Sequence, residues 1–165
     1  MSGRKGMLLC GVLIAGSMSL STVHPWGDVR SAGAEGELLD GSNVSPDVRQ
    51  MLETKCADCH SNRTHWPVYS RLAPGSWLME RDVSKGRAAV NFSRWGSMRP
   101  EERIDVLSRI AAEVRSAEMP PRPYTMMHPG AHISELEKQG IATWARAERR
   151  RLRSAAEAQK EIKGQ

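Results

Sequence analysis

The sequence predicts an all-α fold. Apolar residues recur at three- and four-residue spacing in four separate stretches. Those stretches open with helix-start signals, a capping serine or a proline followed by acidic residues. No stretch of any length alternates apolar and polar residues as a half-buried strand does, and no internal repeat is visible.

The N-terminus reads as an export signal. Arg4 and Lys5 give it a positive start, and Met7 to Leu20 carries no charge. Ala32-Gly33-Ala34 offers a small-residue cleavage site that would leave a mature chain from Glu35. That site lies some way beyond the apolar run, so residues 1–34 have a second reading as an uncleaved N-terminal membrane anchor. The run is near the lower length limit for crossing a bilayer. Cys10 is not read as a lipidation site, because Leu9 precedes it and it falls too early in the signal. Removal of 1–34 would take away Arg4, Lys5, Arg30 and Asp28, lowering the net charge from +5 to +3, and would leave Cys56 and Cys59 as the remaining cysteines.

Residues 35–44 are short, polar and Gly-containing, and read as a flexible linker. The folded domain is expected over 45–150. Ser45 caps its first helix, with Pro46 at the first helical position and Asp47 in the first turn. Val48, Met51, Leu52 and Cys56 share its spacing. A second helix is expected from Trp77 to about Ala89 with Ser76 as its cap. A third starts near Pro100-Glu101-Glu102 and presents Ile104, Leu107, Ile110, Ala111 and Val114. Met119-Pro120-Pro121 ends it, because the residue before a proline is pushed out of helical geometry. A fourth starts at Ser134, where Ser134 and Glu137 make a capping box, and buries Ile141, Trp144 and Ala145. It runs on into a basic tail over 151–165, where its stability fades.

The chain has 165 residues, of which 39% are hydrophobic and 26% charged, with five Trp against one Phe and two Tyr. So small an aliphatic core invites a staple: a disulfide, a metal or a cofactor. The net charge of +5 raises a nucleic-acid reading. Most Arg and Lys are interleaved with Asp and Glu, so no nucleic-acid partner is expected. The one dense basic run, Arg146, Arg149, Arg150, Arg151 and Arg153, reads as a solvated helix face. Its alternative role is docking an acidic redox partner or anionic lipid.

Cys56-Ala57-Asp58-Cys59-His60 is the pattern that attaches a c-type haem. Two thiols three residues apart each reach one vinyl group of the same macrocycle, and the adjacent imidazole lies under the iron. Two alternatives compete. Structural zinc would use Cys56 and Cys59 with His60 or His65, but it usually takes four ligands and there is no second cysteine pair. A thioredoxin-like dithiol would need strands around it. The expected cofactor is therefore one covalent haem c, with His60 as its proximal ligand.

A six-coordinate iron needs a distal ligand, and thioether sulfur is the usual partner of His in electron carriers. Met119 is favoured, because it follows a helix end and Pro120 and Pro121 hold its backbone stiff. Its rivals are Met98, Met126, Met127 and His128. The bland reading of Met119 is a core gap-filler. His65 is read as a hydrogen-bonding or exposed residue, His132 as a surface loop residue, and His24 as part of the removed segment. Trp66, Trp77, Trp95 and Trp144 are read as core. In a haem protein their rings also pack on porphyrin edges, and an indole N–H can bond a propionate.

Three blocks in order, CADCHSNRTHWPVYS (56–70), LAPGSWLMERDVSKGRAAVNFSRW (72–95) and EMPPRPYTMMHPGAHISELE (118–137), make the chain resemble the bacterial haem-binding domain family, small class I-like c-type cytochromes. The resemblance runs from about Pro46 to Trp144. It departs at Val68, where an aromatic residue is expected after Trp66-Pro67. It implies attachment through Cys56, Cys59 and His60, a distal side supplied by the Met-Pro-Pro segment, and first and last helices that cross beside the haem.

The expected function is electron carriage outside the cytoplasm, in the periplasm or tethered to the inner membrane. An unidentified redox protein would be the partner, and no small-molecule substrate is needed. A second reading is a peroxidase-like enzyme or gas sensor with an open distal site and His65 or His128 as acid–base group. A third is a haem-bearing accessory subunit of a larger oxidoreductase.

Overall fold

The computed structural model describes residues 2–30 and 36–163; the expected cleavage site at Ala32-Gly33-Ala34 and the following Glu35 lie outside the described residues. Among the described residues there are seven α-helices, three short 3₁₀ turns and no strand, so the all-α expectation holds. The helices are α1 (Ser2–Leu20), α2 (Pro46–Lys55), α3 (Ala57–His60), α4 (Gly75–Ala89), α5 (Pro100–Ser116), α6 (Arg122–Met127) and α7 (Glu135–Lys163).

Local chemistry sets most of these boundaries. Ser45 Oγ accepts the Val48 amide at the start of α2, and Pro46 needs no donor there. The capping box at α7 forms as expected: the Ser134 amide and hydroxyl both donate to Glu137 Oε2 (2.8 and 2.9 Å), and the Glu137 amide returns to Ser134 Oγ at 3.3 Å. Two boundaries differ from expectation. α4 begins at Gly75, so Ser76 is a buried residue inside its first turn and not its cap. α5 stops at Ser116, three residues before Met119. Ala117 takes the left-handed conformation (φ +59°), and the Ala117, Glu118 and Met119 amides all turn back toward the last carbonyls of the helix.

The frame of the domain is the pairing of α5 with α7. Leu107, Ala111 and Val114 are buried from α5, as expected, together with Val106. Ile104 and Ile110 are half-buried against the same core. From α7 come Ile141, Ala142, Trp144, Ala145 and Leu152. Each fully buried aliphatic side chain contributes about 1.5–3 kcal/mol. Trp95 and Trp144 meet in this core with ring centroids 6.5 Å apart. α2 also packs on α7, where Val48 and Met51 approach Gly140. The first and last helices of the domain are thus in contact.

The segment expected to be a linker is partly core. Leu38 and Leu39 are buried, Leu39 to 1% exposure, and the Leu39 amide donates to Phe92 O. The stretch is also tied to α7. Buried Glu148 accepts the Asn43 amide, and Arg151, which pairs with Glu148, donates to Gly41 O at 3.0 Å. α7 continues helically through Lys163, and Leu152 makes the start of the expected tail a packed turn. Arg146, Arg150, Arg151 and Arg153 are exposed and Arg149 is half-buried, which fits a solvated face.

The large apolar side chains of α1 stand exposed, and no described helix is long and apolar enough to cross a membrane. The chain after α1 lies along α4. The Trp77 indole donates to Val23 O, Arg87 to Val29 O, and His24 and Arg30 both approach Glu80.

Candidate functional site

α2 delivers the chain into Cys56, which closes that helix with its amide on Leu52 O. One turn, α3, then carries Cys59 and His60, so all three motif residues sit on a single bend. α4 backs that bend at close range. A Cβ placed on Gly86 would come within 2.4 Å of Cys59 O and 2.9 Å of its Cβ, so only glycine allows this approach. A lone glycine inside the helical pattern of α4 was the available sequence signal.

The bend faces a cleft with two lobes, about 750 and 1030 Å³ and open to solvent, that share Cys56, His60, Ala89, Val114 and Met119. Apolar side chains dominate its walls, among them Leu52, Val90, Phe92, Val106 and Ile110 in one lobe and Pro120, Pro121 and Ile133 in the other. Charged groups stand at the edges: Arg109 and Glu113 on one side, Lys55, Asp58, Asp82 and Lys85 on the other. An apolar slot with a few charges at its margin matches a large flat apolar ligand that ends in carboxylates.

His60 Nδ1 lies 3.2 Å from Val90 O, as donor to that carbonyl. The contact orients the ring and leaves Nε2 with a free lone pair, the state an imidazole needs to ligate iron. Burial holds the His60 pKa below its ordinary value, so the ring is neutral, although the carbonyls of Val90 and Gly86 oppose the shift. Phe92 packs beside it at a centroid distance of 5.9 Å.

Burial pushes the Cys56 thiol up to about 12, and burial together with Asp82 and Asp58 pushes Cys59 up to about 11. A dithiol used for disulfide exchange is tuned in the opposite direction, toward a stable thiolate. Among the described residues, no three His, Cys, Asp or Glu side chains are gathered as metal ligands would be. Neither the thioredoxin-like nor the zinc alternative gains support from this geometry.

Of the five distal candidates, Met119 alone lines the cleft, at the junction of both lobes and 38% exposed. Met98 is packed against the core, and Met126 and Met127 are exposed. His128 is engaged elsewhere: its Nε2 is 2.8 Å from the Tyr69 hydroxyl and its ring stacks on Tyr124 at 4.5 Å. His65 and His132 are exposed and outside the cleft. The indoles do not reach it either. Trp95 and Trp144 are in the α5–α7 core, Trp77 binds Val23 O, and Trp66 lies under the Arg30 guanidinium.

One polar network was not legible in the sequence. Tyr124 of α6 donates to Asp58 Oδ2 at 3.2 Å, and Asp58 Oδ1 accepts the His65 amide at 2.8 Å. The second variable residue of the motif thereby ties the Cys56–His60 bend to the segment after Met119. Burial and the nearby Asp58 raise the Tyr124 pKa, so the phenol stays protonated as the donor.

A family model described as a haem-binding domain matches residues 17–147. No curated protein and no solved structure matches the chain.

Proposed function

The chain belongs to the haem-binding domain family and is a haem-binding protein, and on that premise we propose that it is a c-type cytochrome that carries electrons outside the cytoplasm. One observation carries this reading: Cys56, His60 and Met119 line the same apolar cleft. Cys59 lines the lobe of that cleft beside Lys55, Asp58 and Asp82.

In this reading Cys56 and Cys59 would hold the porphyrin, each through one thioether bond from its Sγ. The raised thiol pKa values suit a thiol that waits protonated and inert. His60 offers Nε2 to the iron while Val90 O fixes its ring. Met119 would supply a second ligand from a loop stiffened by Pro120 and Pro121. The apolar walls would shield the ring, and Lys85 and Arg109 are the cations beside the cleft that would hold the propionates. The bound haem supplies a one-electron Fe(II)/Fe(III) couple. With His60 and Met119 both committed to the haem no substrate site would be needed, and the partner would be a redox protein.

The peroxidase-like reading requires an acid–base group beside the iron. Neither His65 nor His128, the two groups that reading offered, lines the cleft, whereas Met119 does. The test is spectroscopy of protein made in a host with haem-attachment machinery. A low-spin, six-coordinate spectrum unchanged by carbon monoxide is expected. A high-spin resting iron that takes up carbon monoxide would refute the carrier.

A further inference from the structure

We propose that residues 17–30 are a permanent strap of the folded domain, so that processing during export does not remove them; the inference rests on the export reading of the N-terminus.

Glu80 sits in the middle of α4 and is 1% exposed. A carboxylate so buried is stable only when paired. Its Oε1 lies 2.9 Å from His24 Nδ1 and 3.7 Å from Arg30 Nε, and its Oε2 has no partner at all. Both partners precede residue 31. A chain that began at Glu35 would lose both groups paired with this carboxylate, on the helix that backs the Cys56–His60 bend.

The other contacts run the length of the strap. Ser17 Oγ donates to Ala73 O at 2.6 Å, and the Ala73 amide donates to Ser21 Oγ at 2.7 Å. Trp77 Nε1 donates to Val23 O at 2.9 Å and Arg87 to Val29 O at 2.6 Å. Arg30 also bonds Ser70 O and lies 4.2 Å over the Trp66 ring, an arrangement that adds cation–π attraction. The family match begins at Ser17, the first residue of this set of contacts. Arg87 links the strap to the site: the same guanidinium donates to Ser61 O at 2.8 Å and to Thr64 Oγ1 at 2.9 Å, just beyond His60. The strap thus braces the exit of the haem-attachment turn.

The test uses the full chain, exported and haem-loaded. Intact mass of the mature protein should show a chain that still includes Ser17; a chain starting at Glu35, or at any residue after Ser17, overturns the proposal. Melting of the full-length protein provides a second arm. Arg30→Ala should lower the midpoint clearly, and Glu80→Gln in that background should restore much of the loss, because a neutral amide tolerates the missing cation. Additive losses in the double variant, or an Arg30→Ala midpoint equal to wild type, would mean that the strap is not integral, and would leave the haem reading untouched.

Discussion

Replacing Gly86 with alanine adds one methyl group where α4 meets the Cys56–His60 bend. Elsewhere in a helix the exchange stabilises by roughly 0.5–1 kcal/mol, because glycine is the entropically expensive residue. Here the new carbon would stand 2.4 Å from Cys59 O, 2.9 Å from Cys59 C and 2.9 Å from Cys59 Cβ. These atoms belong to a helical turn and cannot yield as the end of a flexible side chain can. Overpacking typically costs about 1–3 kcal/mol. The clash outweighs the propensity gain, and a net loss on the order of 1–2 kcal/mol follows. For a domain of this size that lowers the melting midpoint by roughly 2–8 °C. Circular dichroism melts of haem-bearing wild type and Gly86→Ala measure it directly. The variant should also yield less haem-loaded protein, since the displaced group carries the Cys59 thiol proposed to attach the haem. A variant that melts at or above wild type, with full haem content, would refute the close approach of α4 to Cys59.

Met119→Ala should abolish the sulfur-linked absorption and lower the reduction potential by tens of millivolts or more, within the roughly 0.8 V range that axial ligands command; Met126→Ala, at an 82% exposed position, should change neither. Tyr124→Phe removes a hydrogen bond to a carboxylate, and chemical denaturation should register a loss of about 1.5–3 kcal/mol. The Glu137 carboxyl is held down to about 2, first by Lys55 and then by the Ser134 amide. Its folded value is depressed, so its stabilisation is complete above the ordinary value near 4.5 and is lost as pH falls toward 2. The melting gap between wild type and Glu137→Gln, which keeps the capping box, should therefore be constant near neutrality and close between about pH 4.5 and 2.

What was legible in the sequence is what local chemistry decides. The Ser134–Glu137 box, the Ser45-Pro46 start and the apolar faces of α5 and α7 depend on neighbours three or four residues apart, and all of them form. The less legible features depend on distant partners. Leu38 and Leu39 have no periodicity and sit among polar residues; they join the core through distant partners such as Phe92, whose carbonyl accepts the Leu39 amide. Ser76 has the chemistry of a cap, but α4 starts earlier and buries it. In the cleft, the motif and Met119 stood out as residue types, whereas Val90 O and the Tyr124–Asp58 bond join residues 30 and 66 positions apart. The strap was hidden for another reason. Its sequence resembles the end of a removable signal, and two of its partners on α4, buried Glu80 and the Trp77 indole, lie more than fifty positions from His24 and Val23, which they bond.

The central claim is that Cys56 and Cys59 hold a haem covalently. Denaturing the purified, exported protein in acidified acetone tests it, because that treatment extracts haem held only by ligation and packing. The haem should stay in the protein pellet, with an intact mass larger than the polypeptide by one haem and no free thiol at Cys56 or Cys59. Haem in the solvent phase, or colourless protein with both thiols titratable, would contradict the account.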